Sequence, residues 1–404
     1  MRFVSAIVVV LLGLYAPAFA QGGLVRIEGK HFIAPDGHEL HLKGINLGNW
    51  LMPEGYMFKF EVAKAPHQIY QAFDRLLGPA EAALFWAEFR DRYVAQDDIR
   101  FIKSVGFNVV RIPLHYGLFM ADDGAMTGPG WALLDRVIGW AREAGLYVIL
   151  DLHAAPGGQT GINHDDGPGY PLMFYVPRDR DLTVKLWRAI AQVYAGNPTI
   201  LGYDLLNEPI APYHDTATLN PRLEPFYKRL TAAIRAVDPG RVVFLAGGQW
   251  SSSFDMLGPP FAPNLAYTYH SFWASTKRDS IQRHLNFSNR YNVPLFLGET
   301  GELTDQWNAA FRTLHEAHDI GWAFWTYKNL DSPSTVVSIS RPEGWNEIVA
   351  FVDGKRRDKP PPALVDRAVA QYLAGIPLAN ATIRWSYLAS LGLRPGPDAP
   401  SATR

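Results

Sequence analysis

Two glutamates stand at the ends of two short apolar segments. Glu208 follows the run GYDLLN, and Glu299 closes the run PLFLGE. A carboxylate at the mouth of a buried strand costs desolvation energy, which suggests that the position needs its charge. A pair of neighbouring carboxyl groups is the usual means of cutting a glycosidic bond. The two glutamates therefore predict catalysis on a sugar, provided that the fold brings them together.

The surroundings predict different tasks for the two carboxyl groups. We expect Glu208 to be the general acid/base, because a partly dry position beside a second carboxylate raises the pKa of a carboxyl group. We expect Glu299 to be the nucleophile, which must stay ionised beside a positive charge. Arg111 and His270, at the ends of other apolar segments, are the candidate partners of Glu299, and we also expect Arg111 to bind the substrate.

Three further polar residues at segment ends are candidate ligands for sugar hydroxyls. Asn207 precedes Glu208, His153 closes LYVILDLH, and His270 closes YTYH. A helix-start cap at residues 207–209 is the structural alternative for the first of these, since Asn and Pro both suit that position.

Acidic residues elsewhere have simpler explanations. Asp151 and Asp204 lie inside their segments, so we expect them to be buried partners of Arg111 or of a histidine. Glu302 is expected to be a charge at the rim. The loop 153–167 lacks the lysine of a phosphate-binding loop and has too few carboxylates to predict calcium binding, so we expect a flexible cleft wall.

Aromatic residues that follow segment ends could form a saccharide cleft. Trp325 lies in WAFWTY, and the C–H faces of a sugar stack on such rings. Trp50 and Trp273 hold comparable positions, and we expect all three to contact substrate. Trp250, Phe272 and Tyr327 share this placement.

Eight β-type segments alternate with amphipathic helical patterns, which predicts a single-domain (β/α)8 TIM barrel. The connections that follow strands are mostly long and those that precede strands are short, so one face should carry the long loops. A doubly wound open sheet is the alternative. Leu24–Ala34 and Glu39–Leu42 predict a hairpin around the turn 35–37 that closes the barrel bottom. The predicted strands are Leu40–Asn46, Phe107–Pro113, Tyr147–His153, Gly202–Glu208, Val242–Gly247, Ala266–His270, Leu295–Glu299 and Trp322–Tyr327. The predicted helices are Ala80–Val105, Trp131–Ala144, Thr183–Ala195, Arg222–Val237, Ser280–Arg290, Asp305–His318 and Ala363–Ala374.

The two ends of the chain differ from the rest. Residues 1–20 combine Arg2, an apolar core and small residues before Ala20, which predicts a signal peptide and a secreted or periplasmic protein. The domain then occupies 21–393, and the Pro- and Ala-rich tail 394–404 is predicted to be disordered.

Composition excludes several classes of partner. The 404 residues carry a net charge of −1, so neither nucleic acid nor an anionic membrane is expected to bind. The absence of cysteine rules out disulfides and thiolate metal sites. We expect a monomer that acts without a metal or another cofactor.

The motifs resemble those of glycoside hydrolase family 5, the cellulase family, in the family's order. The resemblance implies a retaining β-glycosidase with Glu208 as acid/base and Glu299 as nucleophile, acting on a β-1,4- or β-1,3-glucan, and is nearest to the exo-β-1,3-glucanase branch. The matching motifs are GINLGNW, FNVVRIP with Arg111, DLH with His153, LLNEP with Asn207 and Glu208, YTYHSF with His270, LGETG with Glu299, and WAFWTY with Trp325.

One position departs from the family pattern. Phe272 stands where the family usually has a tyrosine bonded to the nucleophile, so we expect another group, such as Tyr269, to support Glu299. A transglycosylase with an apolar acceptor platform at Phe272 and Trp273 is the alternative function. A non-catalytic carbohydrate-binding barrel is a remote alternative, because both glutamates are present.

Overall fold

The computed structural model describes residues 23–394. The predicted signal peptide, 1–20, and all but the first residue of the predicted tail, 394–404, lie outside the described residues. The strands are β1 (Arg26–Glu28), β2 (His31–Ile33), β3 (Lys43–Asn46), β4 (Val109–His115), β5 (Tyr147–Ala154), β6 (Ile200–Asp204), β7 (Val242–Ala246), β8 (Leu265–His270), β9 (Leu295–Glu299), β10 (Gly321–Phe324), β11 (Lys328–Leu330), β12 (Val337–Ile339) and β13 (Thr382–Ile383). The helices are α1 (Pro66–Leu77), α2 (Pro79–Tyr93), α3 (Gln96–Ser104), α4 (Gly130–Ala144), α5 (Pro177–Val193), α6 (Thr216–Arg235), α7 (the irregular turn Gly248–Ser251), α8 (Gln282–Tyr291), α9 (Asp305–Glu316), α10 (Trp345–Val352), α11 (Pro362–Gly375) and α12 (Trp385–Ser390).

Strands β3 to β10 form a closed barrel in chain order, and each pairs in parallel with its neighbours. All eight predicted strands are present, so the predicted (β/α)8 barrel is confirmed. Every residue of β4, β6, β7, β8 and β9 is buried. This is why these strands appear in the sequence as continuous apolar runs rather than as alternating patterns.

One predicted helix is two helices in the structure. The pattern Ala80–Val105 is divided between α2 and α3 at Val94 and Ala95, whose backbones are extended. The Asp98 carboxylate accepts a hydrogen bond of 2.8 Å from the backbone N–H of Ala95 and starts the second helix. No glycine or proline marks this break, so the sequence pattern did not indicate it.

The N-terminal hairpin closes the barrel bottom as predicted, but its turn is elsewhere. β1 and β2 pair in antiparallel fashion around Gly29, which has the positive φ of a tight turn. The segment 35–37 forms a second bend, closed by a bridge between Ile33 and Glu39. Phe32 enters the barrel and stacks on Phe244 of β7 with ring centroids 5.8 Å apart.

The opposite face of the barrel carries the long loops, as the connection lengths predicted. β11, β12 and β13 form a small sheet that lies beyond β10 and that we did not predict. Its buried Lys328 binds Asp98 at 2.8 Å and so joins this sheet to α3. Within residues 23–394, no helix combines the length and the apolar composition needed to cross a bilayer.

The barrel-bottom contact makes a stability prediction. Phe32→Ala should lower the free energy of unfolding by about 3–5 kcal/mol, because it leaves a cavity against the Phe244 ring. Urea unfolding at equilibrium measures the change. Glu28→Ala, an exposed change in the same hairpin, is the control and should alter stability by less than about 0.5 kcal/mol. Equal effects of the two variants would show that the hairpin does not close the core.

Candidate active site

A cleft of about 620 Å3 opens at the carboxyl ends of the barrel strands, on the face with the long loops. Active sites of such barrels lie on this face. Both predicted catalytic residues line the cleft. Its other lining residues are Glu54, Tyr56, His153, Ile162, Asn163, His164, Asn207, Pro212, Gln249, Trp250, Ser252, His270, Ser271, Phe272, Trp273, Ser280, Arg283, His284, Glu302 and Trp325.

The fold brings the two glutamates together. Glu299 is the last residue of β9, and Glu208 lies four residues beyond the end of β6 with a φ of 45°. One carboxylate oxygen of each and a ring nitrogen of His270 all lie within 4.8 Å of one another. Since α6 begins only at Thr216, residues 207–209 do not start a helix, and the alternative role as a helix cap is wrong.

Arg111 lies beneath this pair and binds five side chains, one of which is Asn46, whose Oδ1 accepts from the guanidinium at 3.0 Å. Its guanidinium donates to Glu299 Oε1 at 2.6 Å and to Asn207 Oδ1 at 3.0 Å. It also contacts Asp151 Oδ1 and Asp204 Oδ2, each at 2.9 Å. Our expectation that the two aspartates are structural partners is confirmed. However, Arg111 is fully buried and does not line the cleft, so our expectation that it binds substrate directly is wrong.

The shared guanidinium does not overcome the cost of burying the two aspartates. Burial raises the pKa of Asp204 to about 7 and that of Asp151 to about 6, although Arg111 acts in the opposite direction. The carboxylates around Arg111 raise its own pKa, against the effect of burial. At the base of the site, the single positive charge of Arg111 therefore lies among more carboxyl groups than it can neutralise.

Glu208 lies between two histidines. His270 Nδ1 is 2.9 Å from Oε1, and His164 Nε2 is 3.0 Å from Oε2. Burial acts to raise the pKa of Glu208, but the two histidines outweigh it and hold this pKa well below the ordinary value. Our expectation of a raised pKa for Glu208 is therefore wrong. The sequence did not indicate that imidazoles would face both oxygens.

His153 is neutral and orients its neighbours. Burial lowers the pKa of His153 to about 3. In the neutral ring, Nδ1 donates to Asp151 at 2.8 Å, and Nε2 accepts from the Asn207 amide at 3.2 Å. Because Arg111 binds the amide oxygen of Asn207 and His153 binds its nitrogen, the side chain of Asn207 is held at the cleft floor in one orientation.

The three tryptophans predicted to contact substrate have different positions. Trp325 lines the cleft, stacks on His153 at 5.6 Å and donates from Nε1 to the Tyr56 hydroxyl at 2.6 Å. Its peptide bond to the next residue is cis. Trp273 lies at the rim and is 67% exposed. Trp50 is buried and donates to the backbone of Arg90, so its predicted role in substrate binding is wrong.

The support for Glu299 comes from below and beside it. Phe272 lines the cleft, but Tyr269 stacks on His284 at 4.0 Å and its buried hydroxyl contacts neither glutamate. Tyr269 does not replace the missing tyrosine. Besides Arg111, two histidines lie beside Glu299: His270, with Nδ1 3.6 Å from Oε2, and the neutral His153, with Nδ1 3.8 Å from Oε1.

The sequence analysis did not identify several residues of the cleft, among them Glu54, Tyr56 and His164. These three lie in the connections between strands and helices, where no strand end indicates them. A charged residue in the apolar stretch LMPEGYM was the available signal for Glu54. Burial raises the pKa of Glu54 to about 8, and its Oε1 has no hydrogen-bond partner among the described residues. Burial also raises the pKa of Glu302 at the rim.

Two groups of side chains have the spacing of cation ligands. They are Asp151, His153 and Glu299, and Glu208, His270 and Glu299. Atoms in both groups already bind Arg111 or one another. The expectation that no metal takes part stays a prediction.

Comparison with known proteins identifies the family to which the chain is similar. Residues 77–331 match the family described as Cellulase (glycosyl hydrolase family 5). A beta-xylosidase of Phanerodontia chrysosporium is 29% identical over 76% of this chain and 71% of its own length. A probable glucan 1,3-beta-glucosidase A of Aspergillus fumigatus is 31% identical over 51% of this chain, and the match spans only 50% of that protein. The rutinosidase structure from Aspergillus niger has a TM-score of 0.59 at 17% identity over 72% of this chain and 90% of its own, which shows the fold alone.

The charge network makes a prediction with a pH signature. Arg111→Met should lower the free energy of unfolding by about 3–5 kcal/mol near neutral pH, because it leaves buried carboxylates unpaired. Asp151 and Asp204 already have native pKa values above the unfolded value, so their contribution to stability is lost as pH rises from about 4 through 7. Without the guanidinium these pKa values rise further, and the deficit should be larger at pH 8 than at pH 5.

Urea unfolding at both pH values measures this difference. Arg136→Met is the control, because its ion pair with Asp91 is at the surface and should contribute about 1 kcal/mol or less at either pH. A deficit for Arg111→Met that does not change with pH would contradict the charge-balance account.

Proposed function

Because the chain belongs to glycosyl hydrolase family 5, we propose that it is a retaining β-glycosidase that hydrolyses a β-glucan. The observation that carries the proposal is the pair Glu208 and Glu299, whose nearest carboxylate oxygens lie within 4.8 Å in one cleft. Carboxyl groups about 5 Å apart leave no room for a water between the second carboxylate and the anomeric carbon, which favours a covalent intermediate over direct displacement. The names of the glucosidase and xylosidase relatives support a β-linked sugar.

In the first step the ionised Glu299 attacks the anomeric carbon, and the leaving oxygen takes a proton through Glu208. In the second step Glu208 accepts a proton from the water that attacks the same carbon, and the bond to Glu299 breaks. Arg111 and His270 stabilise the carboxylates, while His153 and Asn207 offer polar groups toward the sugar hydroxyls. Trp325 supplies the apolar surface beneath the sugar.

Substitution of each glutamate separates the two roles. Glu208→Ala and Glu299→Ala should each lower kcat by about 1,000-fold or more, because each removes a group that reacts. With an aryl β-glucoside and added azide, Glu208→Ala should give a β-glycosyl azide and Glu299→Ala an α-glycosyl azide. Chromatography and NMR of the products measure both outcomes.

Glu81→Gln, an exposed change on α2, is the control and should keep wild-type turnover. Near wild-type turnover in either alanine variant would end the assignment, and exchanged azide configurations would reverse the two roles.

The configuration and size of the first products test the mechanism. Digestion of a panel of β-glucans should release the β-anomer first, as followed by NMR, because two displacements restore the configuration. Initial α-anomer would contradict retention.

Sugar transfer is the second candidate function, favoured by the exposed Trp273 beside Phe272 at the cleft rim. Products longer than the substrate at high acceptor concentration would identify it.

We also propose export of this protein, on the strength of residues 1–20 alone.

A further inference from the structure

His164 reaches Glu208 from a wall of the cleft. It lies in one turn of 3-10 helix, Asn163–Asp165, between β5 and α5. Its Nε2 is 3.0 Å from Glu208 Oε2, although the N–H is not well aligned on that oxygen, so the contact is a charge pair rather than a linear hydrogen bond. The ring is largely buried and lines the cleft.

The loop that carries His164 is tied in place on both sides. The Asp165 carboxylate accepts hydrogen bonds of 2.7 Å from the backbone N–H groups of Thr160, Gly161 and Gly167. A carboxylate with three donors joins separate parts of this loop to one another. The expectation of a flexible wall stays a prediction.

The next residue anchors the same loop to the barrel. Asp166 accepts from His67 at the start of α1 at 2.6 Å and lies 2.8 Å from His115 at the end of β4. The position of His164 is thus set by contacts with two other elements, and not by the loop alone.

Acidic groups surround the His164 ring. Burial disfavours the imidazolium, but Glu208, Glu54 and Asp165 outweigh it and raise the pKa of His164 to about 9. The imidazole of His153 also faces His164, with ring centroids 6.4 Å apart, and this imidazole is neutral. Near neutral pH, a proton therefore resides on His164 while Glu208 is a carboxylate.

A carboxylate cannot be the acid of the first step until a proton reaches it. His270 binds Oε1, and His164 faces Oε2 at the cleft wall. Resting on the function proposed above, we propose that His164 is a positioning residue that stores the proton which Glu208 delivers to the leaving oxygen. His164 acts on the substrate only through Glu208, the ionised acid/base residue of the proposed glycosidase.

The proton balance closes over the two steps. In the first, the proton on His164 Nε2 passes to Glu208 Oε2 and on to the leaving oxygen, while the C–O bond breaks and the bond to Glu299 forms. His164 is then neutral and Glu208 is again a carboxylate. In the second, Glu208 takes a proton from the attacking water and returns it to His164 Nε2, the new C–O bond forms, and Glu299 leaves as a carboxylate.

The test compares His164→Gln with wild type on aryl and alkyl β-glucosides across pH. The alkaline limb of kcat/KM should move to lower pH by about two units or more, because Glu208 alone must then hold the proton. At pH 7 the variant should lose about 10- to 100-fold in kcat/KM on an alkyl glucoside, and less than about threefold on a dinitrophenyl glucoside, whose departure needs no acid. Urea unfolding verifies that the variant is folded.

Two further variants separate the possible outcomes. His38→Gln, in the bend at the barrel bottom, is the matched control and should keep both the pH profile and the activity. An unshifted alkaline limb, or equal losses on both leaving groups, would overturn the role of His164 even if Glu208→Ala is inactive. Wild-type turnover of Glu208→Ala would instead overturn the proposed function itself.

Discussion

The charge of Arg111 is the constraint on which the site depends. One fully buried guanidinium contacts Asp151, Asp204 and Glu299 and has no access to solvent. Because these carboxylates belong to β5, β6 and β9, the cation on β4 joins strands from opposite sides of the barrel through its interior. Packing fixes where the strands lie, but this network fixes where the carboxylate of Glu299 points. Removal of any member leaves the others buried without balance.

Histidines in this site differ because different groups face them. His153 is enclosed and faces an aspartate already shared with Arg111, so burial prevails and the ring is neutral. His164 faces Glu208 and Glu54, and His270 faces both Glu208 and Glu299, so in each the carboxylates prevail and the pKa is raised. The neutral ring serves as a directional link between Asp151 and Asn207. His164 and His270 in turn lower the pKa of Glu208, against the effect of burial.

The walls of the cleft are built by long loops that polar side chains hold in place. The loop after β5 brings His164 to Glu208. Its own two aspartates secure the loop to backbone N–H groups and to His67 and His115. The loop after β3 brings Glu54 and Tyr56 to the other side. These loops decide which groups meet the substrate, whereas the barrel decides only where the two glutamates stand.

The sequence alone determined the barrel, the strand that ends at Glu299, and the aspartates beneath Arg111, whereas the strand predicted to end at Glu208 ends at Asp204. Apolar runs that end in single polar residues are local signals, and parallel strands place all such ends on one face. Only the tertiary structure decided the position of the hairpin turn, the burial of Trp50 and Arg111, and the low pKa of Glu208. These depend on contacts between residues far apart in the chain, such as His164 with Glu208 and Trp50 with Arg90. A charge state is set by the groups that surround a side chain in space, and no pattern of neighbouring residues records them.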